Sequence, residues 1–206
     1  MKKVLSLSLI IILLSFTLKT PSTSAAFSDV SDRYQVEVDY IVGAKYANGI
    51  TATKFGTDSP IKRIDAAVIV AKAMGFDENT KSPNAGFTDV PKNRAWAVNA
   101  LANKGIISGK NPGKYGSADS MTRSEMAKVI AEAYELKAKQ ENIPFTDVSP
   151  RFKTSVAALV ENGITQGKTN TSFGGSDNIS RGEFAIFIYR ADGLSKNAPP
   201  EVEDVS

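Results

Sequence analysis

Phe87-Thr88-Asp89-Val90 and, 36 residues beyond that phenylalanine, Arg123 bracket the stretch that decides the fold. The same two marks stand at Phe27-Ser28-Asp29-Val30 with Arg63, and at Phe145-Thr146-Asp147-Val148 with Arg181. The arginines lie 60 and 58 residues apart. A register held that closely marks three copies of one supersecondary unit.

Each unit divides into two helices joined by a glycine-punctuated loop. In the middle unit Trp96, Ala100 and Leu101 recur at helical spacing and Gly105 supplies the stop. Matching Gly105 to Gly49 and Gly163 places Ala44, Ala100 and Ala158 five residues before their glycines and sets Tyr40 opposite Trp96 and Thr154. On that register Phe27 to Gly49 is 22 residues where the other units have 18, and Gly49 to Arg63 is 14 where they have 18. The loop over residues 51–60 is then expected to be cut back, with Thr53 where the others carry a second glycine, Gly109 and Gly167. An aromatic-Gly pair precedes each arginine by eight residues, as Phe55-Gly56, Tyr115-Gly116 and Phe173-Gly174. These aromatics are expected to pin the loop to the core.

The second helix of each unit starts at the arginine. Thr122-Arg123-Ser124-Glu125 and Ser180-Arg181-Gly182-Glu183 are capping boxes, in which the hydroxyl and the glutamate satisfy each other's helix-end amides. The first unit has Lys62 in the hydroxyl position, so only Asp65 supports that end, through the helix dipole. Apolar residues at helical spacing follow, and a two-helix unit cannot bury such a stripe alone. Three units are therefore expected to form one all-α, pseudo-threefold domain around a central three-helix bundle.

Residues 1–26 read as a secretory signal peptide. Lys2 and Lys3 precede an apolar run over residues 4–18, and Ser24-Ala25-Ala26 offers small residues for cleavage. Three lysines fall in that segment, so 25 basic residues against 22 acidic become 22 against 22. The balance gives no support to a nucleic-acid or membrane partner after cleavage. The absence of cysteine and histidine excludes disulfides, Cys/His metal sites, thiol nucleophiles and an imidazole base. No nucleophile motif, phosphate loop or recurring carboxylate pair outside the helix caps is present, so neither catalysis nor a cofactor is expected.

The aromatic-x-Asp-Val opening, the Gly-Ile turn, the aromatic-Gly loop and the Thr-Arg-x-Glu helix start together resemble the S-layer homology repeat of bacterial surface proteins. The resemblance runs from Phe27 to about Leu194, dividing the chain into a signal peptide at 1–26, repeats at 27–86, 87–144 and 145–194, and a proline-acidic tail at 195–206. It implies a compact helical spindle whose grooves between repeats hold secondary cell-wall polysaccharide, often bearing pyruvate ketals, at the bacterial wall. Other surface-layer proteins are further candidate partners. A protein–protein adaptor, or the anchor of a longer surface protein, remains an alternative reading.

The candidate ligand contacts are Arg63, Arg123 and Arg181, with Trp96 and Tyr40 as sugar platforms and Gly109 and Gly167 as points of close backbone approach. Each arginine opens a helix where free amides and the dipole would favour an anion, and its guanidinium can fork onto a ketal carboxylate. Pairing of the same arginines with carboxylates inside the domain is the competing reading. Asp65, Glu125, Glu183, Thr122 and Ser180 are assigned to capping beside the site. With its cap and loop both altered, the first repeat is expected to make the weakest site, so Arg63 ranks below Arg123 and Arg181.

Overall fold

The Thr122 hydroxyl accepts from the Glu125 amide at 3.2 Å while the Glu125 carboxylate accepts from the Thr122 amide at 2.9 Å, and α4 (Arg123–Ala133) starts on that reciprocal pair. Ser180 and Glu183 make the same two bonds, at 3.1 and 3.2 Å, ahead of α6 (Arg181–Asn197). Lys62 contributes no side-chain cap to α2 (Arg63–Ala73). The first helices of the three units are α1 (Asp32–Gly43), α3 (Ala95–Asn103) and α5 (Lys153–Glu161). The last two follow 3-10 turns at Lys92–Arg94 and Pro150–Phe152. The computed structural model describes residues 27–197, so the signal peptide assigned to 1–26 lies outside the described residues.

The helices pack across unit boundaries. α3 lies on α2, α5 on α4, and α1 on α6, so each first helix covers the second helix of the preceding unit and the last pairing closes the circle. α6 also packs against α2 and α4. Val70, Ile130 and Ile188, at one register in the three second helices, are wholly buried. The domain is all-α: among the described residues only isolated bridges occur, including Lys62 with Ser120, Thr122 with Asn178 and Pro60 with Ser180. These sit beside a ring of backbone bonds. Ile61 donates to Ile179, Ile179 to Met121 and Met121 to Ile61, each at 3.0 Å.

The register of the first unit differs from the sequence expectation. Lys45, with φ of 62°, takes the left-handed position that Gly105 (75°) and Gly163 (72°) take after α3 and α5. Gly49 is instead the partner of Gly109 and Gly167. A Cβ on Gly49 would stand 2.4 Å from the Phe27 ring, on Gly109 2.6 Å from Phe87 and on Gly167 2.4 Å from Phe145. Counted to these glycines, all three units run 22 residues from the opening aromatic and 14 to the arginine, so the loop over residues 51–60 is not shortened. A lysine at a position usually read as a glycine stop displaced the alignment by four residues. Val36, not Tyr40, is then the counterpart of Trp96 and Thr154.

α6 runs further than its counterparts. α2 is followed by Gly75 and α4 by Glu135, at φ of 80° and 52°, whereas Gly193 at the same register stays inside the helix. Residues 195–197, assigned to the tail, are therefore helical, and the rest of the tail lies outside the described residues. Asp192, buried beside that glycine, accepts from the hydroxyls of Tyr40, Tyr46 and Tyr134, which brings residues of all three units onto one carboxylate.

Candidate functional site

The aromatic-x-Asp-Val opening works through its aspartate. Asp89 accepts from the amides of Tyr115, Gly116 and Ser117 at 2.8, 2.7 and 3.1 Å, so its carboxylate fixes the aromatic-Gly loop 26 to 28 residues downstream. Asp29 holds Phe55, Gly56 and Thr57 in the same way, and Asp147 holds Phe173 and Gly174 with the Ser172 hydroxyl added. Each opening phenylalanine meets its loop aromatic, with ring centroids 5.6 to 5.8 Å apart. Desolvation opposes ionisation of Asp147. The Phe173 amide, the Ser172 hydroxyl and the Gly174 amide outweigh it and hold the pKa at about 2. Asp29 and Asp89 are lowered for the same reasons.

The pinned loop presents its carbonyls to the arginine of the preceding unit. Arg63 donates through Nε to the Tyr115 carbonyl at 3.1 Å and through Nη2 to Ser108 at 3.0 Å, with its guanidinium 4.7 Å from the Tyr115 ring centre. The Tyr115 hydroxyl returns a bond to the Arg63 carbonyl at 3.1 Å. Arg181 closes the circle with bonds of 3.0 Å to Phe55 and to Asn48 and lies 4.7 Å over the Phe55 ring. Arg123 differs: Nη2 donates to the Thr165 hydroxyl at 3.1 Å and Nη1 to Glu183 at 3.2 Å, while Nε finds no partner among the described residues. Its guanidinium sits between Phe173 and Phe187, at 5.0 and 4.8 Å. Burial lowers the pKa of Arg123 and of Arg181, opposed mainly by Glu183 and Asp65 respectively.

Two expectations change here. The amides at the second-helix starts are not free for an anion: Arg63 and Ile64 donate to Asp119 and Ser117, Arg123 and Ser124 to Asp177 and Gly175, and Arg181 and Gly182 to Ser59 and Thr57. Buried N–H groups need partners, and the neighbouring loop supplies them. The arginines are also not open forks. All three are 6 to 8% exposed, and in Arg63 and Arg181 both Nε and Nη2 are committed to backbone carbonyls.

What the arginines do is floor three grooves, one at each boundary between units. The Arg63 groove, about 560 Å³, is walled by residues 105–111, by Glu125, Lys128 and Val129 of α4, and by Arg151 and Phe152. The Arg123 groove, about 520 Å³, is walled by residues 165–168, by Glu183, Ile186, Phe187 and Arg190 of α6, and by Arg33. The Arg181 groove, about 530 Å³, is walled by residues 46–50, by Asp65, Val68, Ile69 and Lys72 of α2, and by Asn93, Arg94 and Trp96, with Glu78 at its edge. Every groove thus draws on all three units. The diverged loop and cap of the first unit border Arg181, not Arg63, because the loop that each arginine meets belongs to the next unit around the ring.

Gly109 and Gly167 line the Arg63 and Arg123 grooves, and Trp96 lines the Arg181 groove. Tyr40 lies away from all three. It packs edge-on against Tyr189 and borders a separate cavity of about 500 Å³. The outer cations were not among the sequence candidates. The Arg63 groove is lined by Lys110, Lys128 and Arg151 beside Arg63, with Glu125 in its wall and Asp119 paired to Lys110 at 3.1 Å, and the Arg123 groove by Arg33, Lys168 and Arg190 beside Arg123, with Glu183 in its wall and Asp177 paired to Lys168 at 2.8 Å. Their signal was present: Arg33 and Arg151 each follow the opening aromatic by six residues and Arg94 follows it by seven.

The S-layer homology domain signature matches residues 86–127 and 144–185. The chain is 29% identical over 160 residues to the cellulosome-anchoring protein of Acetivibrio thermocellus, covering 72% of this chain and 35% of that protein. It is 29% identical over 178 residues to the exoglucanase XynX of the same species, covering 81% and 16%, and 28% identical over 151 residues to the S-layer protein EA1 of Bacillus anthracis, covering 71% and 17%. The chain spans only a minor part of each relative's length. Residues 86–127 and 144–185 thus carry the S-layer homology domain signature, and the relatives named here include an anchoring protein and an S-layer protein of bacteria.

Proposed function

We propose that the chain binds the cell wall non-covalently by seating the carboxylate-bearing units of a pyruvylated secondary wall polysaccharide in the Arg63 and Arg123 grooves. The observation that carries this reading is the local charge in a chain balanced at 22 against 22 outside residues 1–26: four cationic side chains line each of those two grooves with one carboxylate in the wall, and a surplus of two cations remains once Asp119 and Asp177, the partners of Lys110 and Lys168, are counted. The buried arginine supplies a fixed positive floor that lysine would not reproduce, and the outer cations reach a ligand carboxylate directly. Residues 27–85 lie outside the signature match but repeat the aspartate cradle, the ring pair and the arginine contact, which supports reading them as a third, diverged repeat. The anchoring named for the cellulosome relative, and the surface-layer role named for EA1, fit the same reading.

Isolated cell walls before and after acid extraction of the secondary polymer provide the test. The chain should co-sediment with untreated walls and be released by extraction. Undiminished retention on stripped walls would sink the glycan reading and favour a protein partner.

A further inference from the structure

Three differences in its lining set the Arg181 groove apart from the other two. Ile50, 56% exposed, occupies the register at which Lys110 and Lys168 stand. Those lysines pair with Asp119 and Asp177 at 3.1 and 2.8 Å, whereas Ser59 is the counterpart of the two aspartates in the first unit. Trp96 lines the groove where the equivalent positions elsewhere hold Val36 and Thr154. The third change is Asp65. One methylene shorter than Glu125 and Glu183, it pairs with Arg94 of the next unit, while the two glutamates face Arg63 and Arg123 at 3.7 and 3.2 Å.

The chemistry shifts accordingly. A ligand carboxylate entering here must compete with Asp65 for Arg94 and meets Ile50 in place of a lysine. Lys72 is engaged with the Lys45 carbonyl at 3.2 Å, and Glu78 adds a second acid. An uncharged pyranose has no such conflict. Its apolar C–H face suits an indole beside an isoleucine, and its hydroxyls can both donate to the Asp65 carboxylate and accept from Arg94.

We propose that the Arg181 groove takes an uncharged pyranose unit, seated between Trp96 and Ile50 and hydrogen-bonded to the Asp65–Arg94 pair. This rests on the glycan reading above for its ligand class. One polymer strand could then be read at two kinds of site, charged units in two grooves and a neutral unit in the third.

Trp96 is the sole tryptophan of the chain, so its fluorescence reports on this groove alone. The purified chain is titrated with neutral methyl hexopyranosides of gluco, manno, galacto and N-acetylated configuration, and with their 4,6-pyruvate ketals, while calorimetry follows total binding. A neutral glycoside should shift Trp96 emission saturably, its ketal should act about tenfold more weakly on that emission, as loss of one charge-assisted bond implies, and Asp65→Asn should reverse the order. Equal or tighter action of the ketals on Trp96 in the unaltered chain, or no response to any neutral glycoside, overturns the proposal. Should the ketals give no heat in the unaltered chain while a neutral glycoside still shifts Trp96 and Asp65→Asn still reverses the order, the anionic reading of the other grooves fails and this one stands.

Discussion

The Met121 amide donates to the Ile61 carbonyl at 3.0 Å, and two further bonds through Ile179 return the circuit to Ile61. All three residues are no more than 1% exposed, so no unit can separate without leaving a buried donor and a buried acceptor unpaired. Because each first helix also packs on its neighbour's second helix, the three units should unfold as one. Urea transitions followed by Trp96 fluorescence and by far-ultraviolet circular dichroism should coincide, and a chain ending at residue 144 should show no cooperative transition.

Strong acid should loosen the pinned loops. The Asp147 pKa is depressed in the folded state, so its contribution is complete above the ordinary aspartate value of 3.8 and is lost as pH falls through about 2. Asp29 and Asp89 shift in the same direction and act in the same sense. The urea midpoint should therefore drop as pH is lowered from 4 to 2, taken here as roughly the window between the two states' pKa values. Asp147→Asn should lower the midpoint at neutral pH and shrink that acid dependence; an unchanged acid slope would show that the cradle contributes nothing to it.

Much of this was legible because the repeat fixes what must pack together. The capping boxes at Thr122 and Ser180, the all-α class and the anchoring aromatics follow from residue type and spacing alone. Two things were hidden. Lys45 adopts a left-handed conformation that a side chain usually avoids, so glycine matching slipped by four residues and drew Tyr40 into a site it does not line. The grooves were hidden because each is assembled from three units, and the order in which helices lie on one another around the ring is not a property of any single window. Reading each arginine with its own loop paired the diverged first unit with Arg63, when its loop in fact faces Arg181.

The corrected register has its own test in two glycines of the first unit. A Cβ on Gly49 would meet the Phe27 ring and the Thr51 carbonyl, both at 2.4 Å, and neither can withdraw while Asp29 holds the loop. Gly49→Ala should cost about 2–4 kcal/mol, in the range of a strained, overpacked site. Gly43, at the end of α1, has nothing within 4 Å of its Cβ direction and no positive φ, so Gly43→Ala should be neutral or add roughly 0.5–1 kcal/mol. Chemical denaturation of the two variants against the parent measures the difference, and similar stabilities would contradict the register.

The floor arginines and the outer cations should separate stability from binding. Arg63→Lys removes two charge-assisted bonds to backbone carbonyls and the stacking on Tyr115, in a side chain only 7% exposed, and lysine cannot restore either geometry. It should destabilise the domain by about 2–4 kcal/mol, and any loss of wall retention should track the unfolded fraction. Arg151→Gln combined with Lys128→Gln touches the same groove from its exposed rim, so stability should change by less than about 0.5 kcal/mol while retention on untreated walls falls. Urea midpoints and wall co-sedimentation of the two proteins form the comparison. If the rim variant kept full retention while folded Arg63→Lys lost it, the buried guanidinium itself would be the ligand contact, and the rim cations would only raise the local field.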